Sequence, residues 1–123
     1  MYKPSLNALF EDDLFTELAN IANETPSGLT ITDRVGLWIR QSERNIYIGR
    51  GSPWGNPYSH LDYGAGQWKV ETRDEAIDKY REYILTRPDL LETLGTLKGK
   101  RLGCWCAPLR CHGTILLSLL WDL

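Results

Sequence analysis

Near the start of the chain, apolar residues return every three or four positions: Leu6, Leu9, Phe10, Leu14, Leu18 and Ile21, with acidic residues between them. That spacing lines one face of an amphipathic helix, expected over residues 5–22, and "NETPSG" at 23–28 then stops it. The segment "LTITDRVGLWIR" has β-branched and apolar character and predicts one or two strands. "NIYIGRG" is a clearer strand signal, Ile46 to Ile48, running straight into Gly49 and Gly51. Residues 51–70, rich in Gly and Pro, read as a long ordered loop, of a kind that in compact domains usually carries function.

The second half is more regular. "TRDEAIDKYREYIL" opens on Thr72 with Glu75 three residues later, a capping box, and Ala76, Ile77, Tyr80 and Ile84 make one apolar face. Pro88 suits the first turn of a following helix that carries Leu90, Leu91, Leu94 and Leu97. "RLGCWC" predicts the next strand, and "TILLSLLWDL" a terminal helix with Ile115, Leu116, Leu119 and Leu120 facing inward. Strands alternating with helices predict an α/β fold: a small single domain whose mostly parallel sheet is flanked by helices in Rossmann-like layering. Residues 1–28 form an N-terminal helical extension in this reading, and 29–123 the α/β domain. Ligands of such sheets gather at the carboxyl ends of strands. The loops 49–58 and 104–112 both follow predicted strands and should share one side of the sheet.

Composition adds limits. A chain of 123 residues, 42% hydrophobic and 24% charged, is that of one globular, water-soluble domain. No run approaches the roughly 18 apolar residues of a membrane span, and the N-terminus lacks a signal-peptide pattern. A cytoplasmic protein with no membrane partner is expected. An odd count of three cysteines fits thiols in a reducing compartment better than disulfides. The net charge of −2 gives no indication of non-specific nucleic-acid binding. Charge is uneven along the chain, however: Arg34, Arg40, Arg44 and Arg50 cluster opposite Glu43 alone, after an acidic N-terminal third. Either a solvated acidic helix adjoins an ordinary basic loop, or Arg34, Arg40 or Arg50 supplies a local anion pocket.

Two stretches carry chemistry. In "RLGCWCAPLRCHG" all three cysteines and one of the two histidines fall within nine positions. On an extended strand Cys104 and Cys106 share a face while Trp105 points away, and Cys111 and His112 arrive at the start of the last helix. Four N/S ligands (Cys104, Cys106, Cys111 and His112) match the count that a zinc or iron site wants, although adjacent residues rarely both ligate one ion. Two of the cysteines could equally be small buried strand residues. A third reading makes Cys111, at a helix N-terminus beside His112, a reactive thiol, with both residues catalytic. The Cys104-to-Arg110 spacing resembles a phosphatase loop, but Pro108 removes a donor from the cradle. In "IGRGSPWGNPY", Gly49 lets a ligand approach the backbone, Arg50 can grip a phosphate or carboxylate, Trp54 offers a stacking face and Asn56 a base-edge partner. The competing reading is a Gly/Pro turn whose Trp54 seals the core. His60 reads as a surface histidine.

These two motifs resemble a small domain of phage and bacterial proteins, domain-of-unknown-function family 4326. The likeness runs from about residue 45 to the C-terminus. Its pattern covers Gly49, Arg50, Trp54, Gly55, Asn56 and Pro57, then Cys104, Trp105, Cys106, Pro108, Cys111 and His112. The Cys…Cys-His element entering a helix is similar to that of another uncharacterised α/β family, which suggests a strand–loop–helix site. The phage relatives of the family imply nucleotide or nucleobase chemistry. The leading expectation is therefore a small enzyme acting on a nucleotide-type ligand. Two others stand beside it: a structural zinc- or iron-binding module, and an adaptor that meets a protein partner, or a second copy of itself, through residues 5–22.

Overall fold

A computed structural model describes residues 16–61, 67–106 and 109–122. Along the chain the elements are β1 (Glu17–Asn20), α1 (Ile21–Glu24), α2 (Ile31–Arg40), β2 (Asn45–Tyr47), β3 (Tyr58–Ser59), β4 (Trp68–Lys69), α3 (Arg73–Leu85), α4 (Pro88–Thr93), a 3-10 turn (Leu94–Leu97), β5 (Arg101–Cys104) and α5 (His112–Trp121). The main sheet has three parallel strands in the order β1-β5-β2, with Leu18 and Ile46 both level with Leu102. The fold is thus α/β, with a small parallel sheet covered by helices on both faces.

Strand alternation sorts the two faces. Leu102 and Cys104 of β5 enter the larger core, with Tyr80 and Ile84 of α3 and Leu116 of α5. Gly103 faces the other way, where Trp38 of α2, Ala19 and Ile21 form the smaller core. A Cβ on Gly103 would lie 2.4 Å from the Trp38 ring, so the bare backbone lets α2 lie flat on the sheet. At the amino ends of the strands Arg101 clamps the layers, donating to Glu17 at 2.9 Å and to Glu24 at 2.6 Å. Glu17, read as part of a solvated helix, and Glu24, in the segment read as its stop, are therefore ion-paired.

Several expectations hold in detail. The Thr72 hydroxyl caps α3 by accepting from Glu75 N at 3.0 Å, while the Glu75 carboxylate accepts from Glu71 N at 3.1 Å, one residue before the cap, in place of the Thr72 N–H of a full capping box. Pro88 opens α4, and Ile115, Leu116, Leu119 and Leu120 of α5 are buried.

Two expectations are corrected. The helix expected over 5–22 is, in its described part, the strand β1 followed by the single turn α1; residues 1–15 lie outside the described residues. Leu18 fits a helical spacing locally, but β5 offers these residues a row of unpaired backbone groups, and pairing with it satisfies them. "LTITDRVGLWIR" is the helix α2, not strands. The Thr30 hydroxyl caps it by accepting from Asp33 N at 3.1 Å, and Val35 and Trp38 share its inner face. The long loop 51–70 also holds a short parallel pair, β3 with β4, in which Tyr58 pairs with Trp68.

Candidate functional site

Beyond the carboxyl ends of β2 and β5 lies a cleft of about 550 Å³. Its position follows from the topology. The chain leaves β2 through Gly49 and Arg50 and leaves β5 through Trp105 and Cys106, and α5 starts between these exits. The close approach of α5 depends on Gly113, where a Cβ would lie 2.6 Å from Leu18 and 2.9 Å from Ile48. The two loops expected to share one side of the sheet do so, and Gly49, Arg50, Asn56, Cys104, Cys106, Cys111 and His112 all line the cleft.

His112 joins the two loops. Its Nε2 lies 2.6 Å from the Ile48 carbonyl oxygen and the ring packs edge-on against Tyr80, with centroids 5.0 Å apart. A carbonyl only accepts, so Nε2 carries the proton in this bond. Burial pushes the imidazole below its ordinary pKa and the Arg50 charge adds to this, against the opposing pull of the Ile48 carbonyl. The ring is therefore neutral at pH 7, and Nδ1 is its basic nitrogen, with no hydrogen-bond partner among the described residues.

The cysteines divide. Cys104 and Cys111 are buried, 2% and 3% exposed, with their sulfurs 3.4 Å apart. Cys106 is half-buried, and none of the three is in a disulfide. The helix-dipole argument for an ionised Cys111 is outweighed: its contact with the Cys104 thiol, and then burial, push the Cys111 thiol well up. The metal-ligand set also does not assemble. His112 Nε2 is committed to Ile48, and among the described residues no group of three or more His, Cys, Asp or Glu is placed to hold an ion. Arg110 turns to α3, pairing with Asp74 at 2.9 Å and Asp78 at 2.7 Å, so the phosphatase-like spacing builds no phosphate cradle.

In the first loop, two residues are held by α3. Trp54 is 7% exposed, belongs to the larger core and is absent from the cleft lining; its carbonyl accepts the Tyr80 hydroxyl at 2.6 Å. Its ring packs in the larger core, as the sealing-turn reading expects. Asn56 lines the cleft and also braces its loop: Nδ2 donates to Ala76 O of α3 and Oδ1 accepts from Tyr58 N, both at 3.0 Å. The aromatic walls of the cleft are instead Tyr47, Tyr58 and Trp105. Trp105 leaves the sheet on the α2 side, as alternation requires, and carries the Arg34 guanidinium 5.3 Å from its ring centre. Gly49 has no room for a side chain, since a Cβ would meet the Tyr47 ring at 2.4–2.6 Å.

Two cations define the electrostatics. Arg50 donates one bond, to Asn56 O at 2.9 Å, and Arg73 donates one, to Arg110 O at 2.8 Å. Neither meets a carboxylate among the described residues, and no described Asp or Glu lines the cleft. Burial lowers the Arg50 pKa against the pull of Tyr47 and Cys106, and it remains a cation. Of the three arginines put forward for an anion pocket, only Arg50 reaches the cleft. Arg73 escaped sequence reasoning, although one signal was there: it opens α3, where the helix dipole disfavours a positive charge. His60, read as a surface residue, is exposed but forms part of the lining.

A family model described as "Domain of unknown function (DUF4326)" matches residues 33–121. That range takes in most of α2 and both cleft loops and leaves β1 outside. A protein of Enterobacteria phage T4, described as "Uncharacterized 12.4 kDa protein in nrdA-td intergenic region", is 34% identical over 77 residues, which are 62% of this chain and 67% of the phage protein. No solved structure matches the chain.

Proposed function

This chain belongs to the DUF4326 family, and we propose that it is a small enzyme that takes a nucleotide-type ligand into the cleft beyond β2 and β5. The observation that carries this reading is the pairing of two guanidinium groups that meet no carboxylate among the described residues, Arg50 and Arg73, with aromatic walls in one cleft. A cation that no acid neutralises is best satisfied by an anion from outside, and arginine offers paired N–H donors to phosphate oxygens. Tyr47, Tyr58 and Trp105 supply flat apolar surface for a planar ring. A nucleotide combines these two halves, and a volume of about 550 Å³ lies in the range of small-ligand sites. In this reading Arg50 and Arg73 hold the phosphate, and neutral His112 accepts a proton through Nδ1. Cys111 keeps its proton and supports the start of α5 rather than attacking the ligand.

The test is equilibrium binding of nucleoside monophosphates, diphosphates and free nucleosides to the purified chain. The expected result is binding that requires phosphate, weakens at least tenfold in Arg73→Ala and Arg50→Ala, and falls with added salt. The thermal midpoints of both variants should stay close to wild type. No binding of any nucleotide, or equal binding by both variants, would overturn the proposal. Given a bound nucleotide, His112→Gln should abolish its turnover while retaining binding.

A further inference from the structure

The Cys104 and Cys111 sulfurs face each other at 3.4 Å, one at the end of β5 and the other capping α5, and the cleft reading makes no chemical use of them. A disulfide needs about 2.05 Å between sulfurs, so closing the gap asks for a movement of little more than an ångström. We propose that Cys104 and Cys111 form a reversible redox pair, converted to a disulfide by a small peroxide. The choice of oxidant follows from burial. At 2% and 3% exposure neither residue admits a bulky disulfide such as glutathione disulfide, but both border the cleft, through which a molecule the size of hydrogen peroxide can approach.

The sulfurs also have different roles. The two sulfurs share one S–H···S contact, and that contact and burial push the Cys111 thiol up, so Cys111 enters as a thiol. The Cys104 sulfur attacks one peroxide oxygen; the O–O bond breaks and the departing hydroxide takes the thiol proton, giving Cys104 sulfenic acid and water. The Cys111 sulfur then attacks the Cys104 sulfur, its proton leaves with the departing hydroxyl as water, and the S–S bond forms. Overall two thiols and one hydrogen peroxide give one disulfide and two waters, with two electrons passing from sulfur to oxygen. Cys106 takes no part. It is half-buried on the cleft wall, so it is the thiol that larger reagents meet first. The bond would tie the start of α5 to the end of β5, across the segment that carries Trp105 and Cys106. This inference stands whether or not the cleft binds a nucleotide.

The test uses the full chain and its Cys106→Ser variant. Each is treated with hydrogen peroxide, quenched with iodoacetamide, digested with trypsin without reduction and weighed by mass spectrometry. Trypsin cuts after Arg101 and Arg110, which separates Cys104 from Cys111. The expected product is a cross-linked pair of peptides, 102–110 joined to 111–123, that forms in Cys106→Ser at a rate within about twofold of wild type and disappears with dithiothreitol. In wild type, Cys106 should be alkylated within the cross-linked species. Loss of the cross-link in Cys106→Ser would assign the chemistry to Cys106 and overturn the proposal. So would peroxide that oxidises Cys106 while Cys104 and Cys111 remain alkylatable after unfolding. Cys111→Ser, which cannot close the bond, should instead stop at Cys104 sulfenic acid, trapped by dimedone.

Discussion

The His112 ring and the Ile48 backbone meet at 2.6 Å, and this bond holds the start of α5 against the end of β2. Residues 64 positions apart are brought together by one imidazole. The bond also selects the tautomer, because the carbonyl claims the Nε2 proton and leaves Nδ1 as the basic nitrogen.

A pH dependence of stability follows. His112 has a folded-state pKa below its ordinary value, so in acid the unfolded chain takes up its proton before the folded chain does. Its stabilising contribution is complete above the unfolded pKa of about 6.5 and is lost as pH falls through the folded value. Urea midpoints measured from pH 8 to pH 5 should decline on the acid side, and the decline should flatten in His112→Gln. Equal slopes would mean that the ring is not buried neutral.

Trp54 separates a core role from a ligand-stacking role. As a core residue whose carbonyl accepts the Tyr80 hydroxyl, its removal leaves a cavity in the larger core. Trp54→Ala should cost about 3–5 kcal/mol by chemical denaturation. A stacking residue at the surface would lose affinity with little change in stability.

Gly103 is constrained by packing rather than by its backbone. The Trp38 ring occupies the space of a Cβ, 2.4 Å away, and the ring is fully buried, so it has little freedom to retreat. Gly103→Ala should destabilise the domain by about 1–3 kcal/mol and shift the near-ultraviolet tryptophan signal. An unchanged thermal midpoint would contradict the seating of α2 on the sheet.

Asn56 braces the first cleft loop to α3 through Ala76. Asn56→Ala leaves the Tyr58 N–H and the Ala76 carbonyl without these partners, a loss of about 1–3 kcal/mol. Limited proteolysis of the variant should cut within residues 49–61 faster than in wild type. An intact loop with weaker ligand binding would restore Asn56 as a ligand contact.

What could be read from the residues in order was local. The cap of α3 lies in Thr72 and Glu75, the apolar face of α5 in Ile115, Leu116, Leu119 and Leu120, and the β2 strand in a short apolar run ending at glycine. A similar cap, Thr30 with Asp33, marked α2 but was masked by the β-branched residues around it. The parallel sheet and the meeting of the two loops beyond its carboxyl ends also followed, because alternation of strand and helix leaves few ways to connect them.

Tertiary structure decided the remainder. A strand as short as Glu17–Asn20 has too few positions to show its two-residue period, and it becomes a strand because β5, 84 residues further on, offers unpaired backbone. The same distance-blindness hid the site. Trp54 and Asn56 stand in a loop that looks built for a ligand, yet they are held by Tyr80, Ala76 and the core, contacts made by an α3 that follows later in the chain. Arg73 reaches the cleft only because α3 lies beside it. Propensity and capping act over a few residues, whereas burial and charge pairing depend on which distant surfaces come together. The sequence alone therefore determined β2, β5, the helices α3 to α5 and the side of the sheet on which the cleft opens, and packing determined β1, α2 and which side chains line that cleft.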